Sequence, residues 1–162
     1  MSEIIIREIA AKDNKAIAKL IRSVLIELGA PKVGTAFEDS SLDDLYFLYK
    51  HKENAFYFIL EINEVVAGGV GFSILEGVDE EICELQKMYL SPNARNKGLG
   101  RKMIDKCLLE AKKAGFKKCY LETLPYMKSA VKLYKNSGFV ALDAPIGNTG
   151  HYSCTEWMIK DL

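Results

Sequence analysis

The sequence predicts an α/β chain of the α+β kind: one mixed, mostly antiparallel sheet with a parallel strand pair near its middle and helices packed against it. Three features predict it. Apolar runs of strand length alternate with segments of helical periodicity along the whole chain. Two such runs, residues 55–62 and 65–75, are separated only by Asn63-Glu64, a spacing that makes an antiparallel hairpin. The apolar run 82–90 is followed by a helical segment of crossover length and a short strand at 119–123, which sets those two strands parallel.

Taken in order, residues 4–9 form a β-branched run. Asp13 is the N-cap for a helix whose Ile17, Leu20, Ile21, Val24, Leu25 and Leu28 fall on one stripe, and Gly29 and Pro31 end it. Residues 32–39 make a small-residue loop, after which Ser40 or Ser41 caps a second helix carrying Leu42, Leu45, Leu48 and Tyr49. In the second hairpin strand, Gly68, Gly69 and Gly71 point to a bulge or a close backbone approach. A polar turn at 77–81 leads into strand 82–90, and Ser91-Pro92-Asn93 opens a loop into a helix beginning near Gly98. That helix buries Leu99, Met103, Ile104, Cys107, Leu108 and Ala111 and stops at Gly115. After strand 119–123, a short helix over 127–136 carries Ala130, Val131 and Tyr134 on one side and ends at Gly138. Strands at 139–142 and roughly 152–159, joined by the loop 145–150, close the chain.

The 162 residues, 49% hydrophobic and 27% charged, suit a single domain spanning 1–162 with one sizeable core, and no repeat or linker divides it. Lysine plus arginine and aspartate plus glutamate each total 22, which argues against a general polyanion-binding surface and so against nucleic acid. Cys83, Cys107, Cys119 and Cys154 have neither CxxC spacing nor neighbouring histidines, so they are expected as free thiols, three of them buried, with no metal site. No apolar run reaches the ~18 residues of a membrane span, and the first ten residues lack the features of a signal peptide. A cytoplasmic location is the expectation.

Chemistry gathers at Arg95-Asn96-Lys97-Gly98-Leu99-Gly100, between an apolar strand and a helix start. A helix N-terminus offers unpaired N–H groups and the positive end of the helix dipole, and glycines let the backbone approach an anion. A P-loop would need Gly-Lys followed by Ser or Thr, which this chain lacks, and the dinucleotide fingerprint fails at Met103, although Glu122 could imitate its ribose-binding acid. The remaining pattern, Arg/Gln-x-x-Gly-x-Gly/Ala, is met by Arg95, Gly98 and Gly100. With Met88-Tyr89-Leu90-Ser91-Pro92 before it and Ala130-x-x-Leu133-Tyr134-x-x-x-Gly138-Phe139 after it, the chain resembles the GCN5-related N-acetyltransferase (GNAT) family. The element order follows that family from residue 4 to the end.

The resemblance implies a sheet splayed at its central parallel pair, flanked by helices on both faces, and acetyl-coenzyme A as acetyl donor. It assigns the pyrophosphate to Arg95, Asn96, Lys97, Gly98, Leu99, Gly100 and Arg101, and the pantetheine arm to the main chain of Met88, Tyr89 and Leu90. Asn96 stands where the family often has glycine, so it must take a conformation that asparagine tolerates better than most residues. Met127 stands where several relatives carry a coenzyme-contacting asparagine. Direct transfer needs a neutral amine, although an alkylamine of pKa ~10.4 is almost wholly protonated at neutral pH, so a base is required. By resemblance Glu84 and Glu122 are the candidate bases, one or both, acting directly or through water, and Tyr134 is the acid for the thiolate. His151 and Tyr126 are candidates for the acceptor pocket, which the loops 32–39 and 145–150 would cover; Glu38 and Asp39 would suit a cationic amine. The acceptor is an amine of a small molecule, peptide or protein. The rival expectation is a coenzyme-A-binding regulatory module without turnover, and a homodimer through the closing strands is compatible with either.

Overall fold

The computed structural model describes residues 1–78 and 81–162. Seven strands, β1 (Ile4–Glu8), β2 (Phe56–Ile62), β3 (Val65–Ile74), β4 (Ile82–Leu90), β5 (Lys118–Thr123), β6 (Val140–Leu142) and β7 (Glu156–Asp161), form one sheet in the order β1-β2-β3-β4-β5-β7-β6. Only β4 and β5 are parallel; every other neighbouring pair is antiparallel. The turn between β2 and β3 holds Asn63 and Glu64 at φ of 51° and 65°, the left-handed pair whose twist matches a two-residue hairpin.

Helices α1 (Asn14–Glu27) and α2 (Leu45–Lys50) cover one face, and α3 (Leu99–Lys113) covers the other, with α4 (Lys128–Asn136) beside it. The strand β2 is apolar on both sides because it serves both layers: Tyr57 and Ile59 pack with Ile17, Ile21, Leu25 and Tyr49, while Phe58 and Leu60 pack with Met103, Ile104 and Cys107. All four cysteines are free; Cys83, Cys107 and Cys119 are buried in the α3 layer.

Two irregularities prepare the site. The parallel pairing of β4 with β5 covers only Ile82, Cys83 and Glu84, opposite Lys118, Cys119 and Tyr120, and the strands then part. The β3–β4 register also slips between Gly69 and Gly71, where Lys87 bulges at a φ of 50°. Tyr57 explains the glycine at 69: a Cβ there would lie 2.5 Å from the Tyr57 hydroxyl, which donates to the bulged Lys87 carbonyl at 2.8 Å.

Some local expectations change. Asp13 does not cap α1 through its side chain. It is buried, accepts from the Ala10 N–H at 2.8 Å and pairs with the Arg7 guanidinium, which also reaches Glu61. The Arg7 pair in fact joins β1, β2 and the α1 entrance, a demand that outcompetes capping. Residues Ser40–Asp44 wind as a 3-10 turn, and α2 begins only at Leu45, where the Asp44 carboxylate accepts from the Phe47 N–H at 3.3 Å. The last strand starts at Glu156 rather than near Tyr152, since residues 151–154 are taken up in a turn closed by the Cys154 N–H on the His151 carbonyl at 3.0 Å. Of the polar turn expected at 77–81, Asp79 and Glu80 lie outside the described residues.

Asp13→Ala strands the Ala10 N–H and takes one of two carboxylates from Arg7. It should lower the unfolding free energy by about 2–3 kcal/mol in urea denaturation at neutral pH.

Candidate active site

The loop after β4 is wound tightly. A 3-10 turn over Pro92–Ala94 follows Ser91, whose N–H donates to the Ala67 carbonyl at 2.8 Å. Asn96 and Gly98 then adopt left-handed φ of 60° and 74° and deliver the chain into α3. Asparagine tolerates that geometry through its short polar side chain. The first N–H groups of α3 have no acceptor within the helix, and Gly98, Leu99, Gly100 and Arg101 line an open groove of about 650 Å3 between α3, α4 and the end of β4. Gly100 lets α4 pack close: a Cβ would come within 2.8 Å of the Leu133 side chain on α4, which would have to turn aside.

The loop's arginines are already engaged. Arg95 forms a two-pronged pair with Glu27 at 2.8 and 3.0 Å and donates to the Leu90 carbonyl at 3.0 and 3.2 Å. It thereby ties the loop to α1 and β4. Arg101 reaches Asp105 at 2.9 Å and the Asn136 carbonyl at 3.1 Å, while Lys97 is exposed.

Where β4 and β5 part, a cavity of about 70 Å3 opens, lined among others by Glu84, Gln86, Lys87, Glu122, Tyr134, His151 and Cys154. Met88, Tyr89, Met127, Ala130 and Tyr134 line both this cavity and the groove. The two spaces therefore share a wall that includes the buried Tyr134 ring, 7% exposed, whose hydroxyl is held protonated by burial. Tyr126 lines the groove only and is exposed; Met127 accepts a weak contact from the Thr123 hydroxyl at 3.7 Å.

Two carboxylates, Glu84 and Glu122, line the cavity, and a third, Asp39, pairs with its lining residues Lys87 and His151. Burial pushes the Glu84 carboxyl above its ordinary range, against the opposing hydrogen bond that Gln86 Nε2 donates at 2.7 Å and the positive charge of His151. Tyr49 holds Gln86 in turn, donating to its Oε1 at 2.6 Å. Glu122 receives the Tyr120 hydroxyl at 2.6 Å on one oxygen and the Thr149 hydroxyl on the other. Asp39 accepts from His151 Nε2 at 3.1 Å and pairs with Lys87 Nζ at 3.0 Å. Burial would raise the Asp39 pKa, but these two partners outweigh it and leave it below the ordinary value. Burial likewise opposes the His151 imidazolium, and Asp39 overcomes it, so His151 lies above its ordinary value. The Cys154 thiol, half-buried beside Glu122 and Glu84, is pushed up to about 12 and is inert as a nucleophile near neutrality.

Residues 24–139 match the acetyltransferase (GNAT) family. The chain belongs to this family. It is 40% identical over 159 residues to the uncharacterized N-acetyltransferase YjgM of Escherichia coli, covering 98% of this chain and 95% of that one. The GNAT fold is also that of a Staphylococcus aureus acetyltransferase, with a TM-score of 0.87 at 21% identity over 98% and 99% of the two chains. The PaiA N-acetyltransferase of Thermoplasma acidophilum, solved in complex with coenzyme A, superposes with a TM-score of 0.73 at 16% identity over 99% of each chain. An acyltransferase with a mixed seven-stranded sheet is thus what the motifs around residue 95 announced.

Around this cavity, Gln86, Lys87, Tyr120 and Thr149 escaped notice in the sequence, and Tyr49 was read there only as part of a helix stripe. Alternation along a strand would send Lys87 to the face opposite Gln86; the bulge turns it to the same side, and only the clustered glycines of β3 hinted at a bulge. Loops 32–39 and 145–151 do converge on the site. The Ser153 N–H donates to the Gly34 carbonyl at 3.1 Å and its hydroxyl to the Val33 carbonyl at 2.8 Å, while the Asn148 N–H reaches the Glu76 carbonyl at 2.8 Å.

His151 should titrate above 6.5 by NMR of its imidazole, and in Asp39→Asn it should fall below that value, because burial and Lys87 then act unopposed by Asp39. The sign for stability follows. The contact contributes fully below the unfolded-state value of His151 and is lost as pH rises through the raised folded value, whereas on the acid side it is lost as pH falls through the lowered value of Asp39.

Proposed function

We propose that the protein transfers an acetyl group from acetyl-coenzyme A directly to an amine, with Glu84 as base and Tyr134 as acid. The observation that carries this is that groove and cavity share Met88, Tyr89, Met127, Ala130 and Tyr134 in their walls, which supports a donor in one space and an acceptor in the other beside Tyr134. The groove suits the donor: it is long and open, it ends on the first turn of α3, and Gly100 keeps α4 close without filling it.

When bound, the donor supplies an activated acetyl thioester. Met88, Tyr89 and Leu90 offer main-chain groups on the side of β4 that β5 has abandoned, suited to pairing with the pantetheine amides. Asn96, Gly98, Leu99, Gly100 and Arg101 line the other end of the groove and, with the exposed Lys97 beside them, provide amides and positive charge for the pyrophosphate. Arg95 acts on the loop's shape, through Glu27 and the Leu90 carbonyl.

Glu84 takes the proton of the acceptor ammonium at its carboxylate, where burial has raised its proton affinity toward that of a useful base. Tyr134 gives its hydroxyl proton to the departing sulfur. Glu122, with both oxygens engaged by hydroxyls, fixes the 145–151 loop rather than receiving the amine's proton.

Tyr134→Phe should cut kcat by roughly 100-fold with little change in coenzyme affinity, and Glu84→Gln should do the same while abolishing the acid limb of the pH–rate profile. Gly98→Glu places bulk and negative charge at the proposed anion site; because a side chain at φ 74° also strains the loop, Gly98→Ala serves as the control for that strain, and Gly98→Glu should lose coenzyme A binding in calorimetry beyond what Gly98→Ala loses. Binding no weaker in Gly98→Glu than in Gly98→Ala would refute the pyrophosphate assignment.

A further inference from the structure

We propose that the acceptor is a free amino acid, a small molecule whose carboxylate is held by Lys87 and His151 while its amine faces Glu84. This rests on the acetyl-transfer reading of the site and adds the acceptor's class. Lys87 is the starting point. Its ammonium belongs to a side chain 7% exposed, a costly position for a charge, and its backbone takes a left-handed φ of 50° in the bulge. Held by Tyr57 at its carbonyl, the bulge turns Lys87 onto the same side of β4 as Gln86, and both line the cavity.

A single carboxylate serves two cations here. Asp39 binds both Lys87 Nζ and His151 Nε2, and it is Lys87 and His151 that line the cavity. With His151 protonated, as its raised pKa favours, the group carries one positive charge in excess. An ammonium has three donors, of which the Asp39 contact uses one. Glu84 lines the same cavity, near enough that its carboxyl senses the charges of His151 and Lys87. A compact space that holds a carboxylate and a net cation among its lining groups matches a ligand carrying an amine and a carboxylate close together.

The dimensions agree. At ~10–15 Å3 per water-sized probe, the cavity of about 70 Å3 takes roughly five heavy groups, which is the amine, α-carbon and carboxylate of an amino acid. A diamine would place its second cation against Lys87 and His151. A peptide N-terminus or a protein lysine brings no carboxylate at that distance, and the loops over the cavity are pinned to each other by Ser153 and by His151.

The test uses labelled acetyl-coenzyme A, with product read by mass spectrometry. The acceptors are free amino acids of small, apolar and charged side chain, each beside its methyl ester and its decarboxylated amine, together with 1,4-diaminobutane and a lysine-containing peptide. At least one free acid should exceed its ester and its amine by about tenfold or more in kcat/KM, chiefly through KM. Lys87→Met should reduce that ratio to within about threefold, and Lys87→Arg should keep part of it. Without donor, the preferred acid should raise the thermal midpoint of the wild type and not of Lys87→Met. Esters, amines, the diamine or the peptide matching or exceeding every free acid would overturn the assignment, as would a Lys87→Met effect equal on acid and ester. No turnover of any acceptor, with coenzyme binding intact, would refute acetyl transfer itself, and the acceptor class with it.

Discussion

The parting of β4 from β5 governs everything built around it. A parallel pair that stayed hydrogen-bonded to its end would leave no room between its strands; here three residue pairs join the two, and the end of β4, Met88 to Leu90, lines a groove where β5 would otherwise continue. The bulge at Lys87 is part of the same distortion, because an extra residue bends and twists a strand away from its neighbour. Tyr57 holds that bend from the α1–α2 layer, filling the space that glycine leaves at position 69. A buried aromatic hydroxyl thus couples the packing of one face to the opening of the other.

Around this opening the chain uses its charges sparingly. Both arginines near residue 95 are spent on shape, Arg95 on Glu27 and Leu90, Arg101 on Asp105 and Asn136. The backbone amides at the start of α3 are left without partners inside the helix. The cavity beside β4 is arranged differently: Glu84, Glu122 and Asp39 are each given a distinct environment. Burial raises the proton affinity of Glu84, two hydroxyls engage the oxygens of Glu122, and two cations hold Asp39 below its ordinary value. Three carboxylates thus acquire three different surroundings from the fold.

Sequence reasoning succeeded where the cause is local. The Asn63-Glu64 turn, the strand Ile82–Leu90 and the helix entered through Gly98 appear where periodicity and turn chemistry put them. It failed at Asp13, which a pair with Arg7 on β1 withdraws from its capping task, and at the start of β7, where the 151–154 turn answers to the loop 32–39. Both misses have one origin, a partner on another element that local propensity does not register.

By itself, the sequence determined the family and the mixed sheet, because a strand–loop–helix motif is contiguous and its backbone geometry is set by residues a few positions apart; the donor contacts and the parts given to Glu84, Glu122 and Tyr134 came as implications of the family resemblance. Only the tertiary structure decided how those groups differ and what joins them. Lys87 is turned inward by a bulge that depends on Tyr57, thirty residues earlier, and His151 meets Asp39 across 112 positions of chain. Charges brought together over such separations take their protonation from burial and from one another, and neither exists until the sheet has closed.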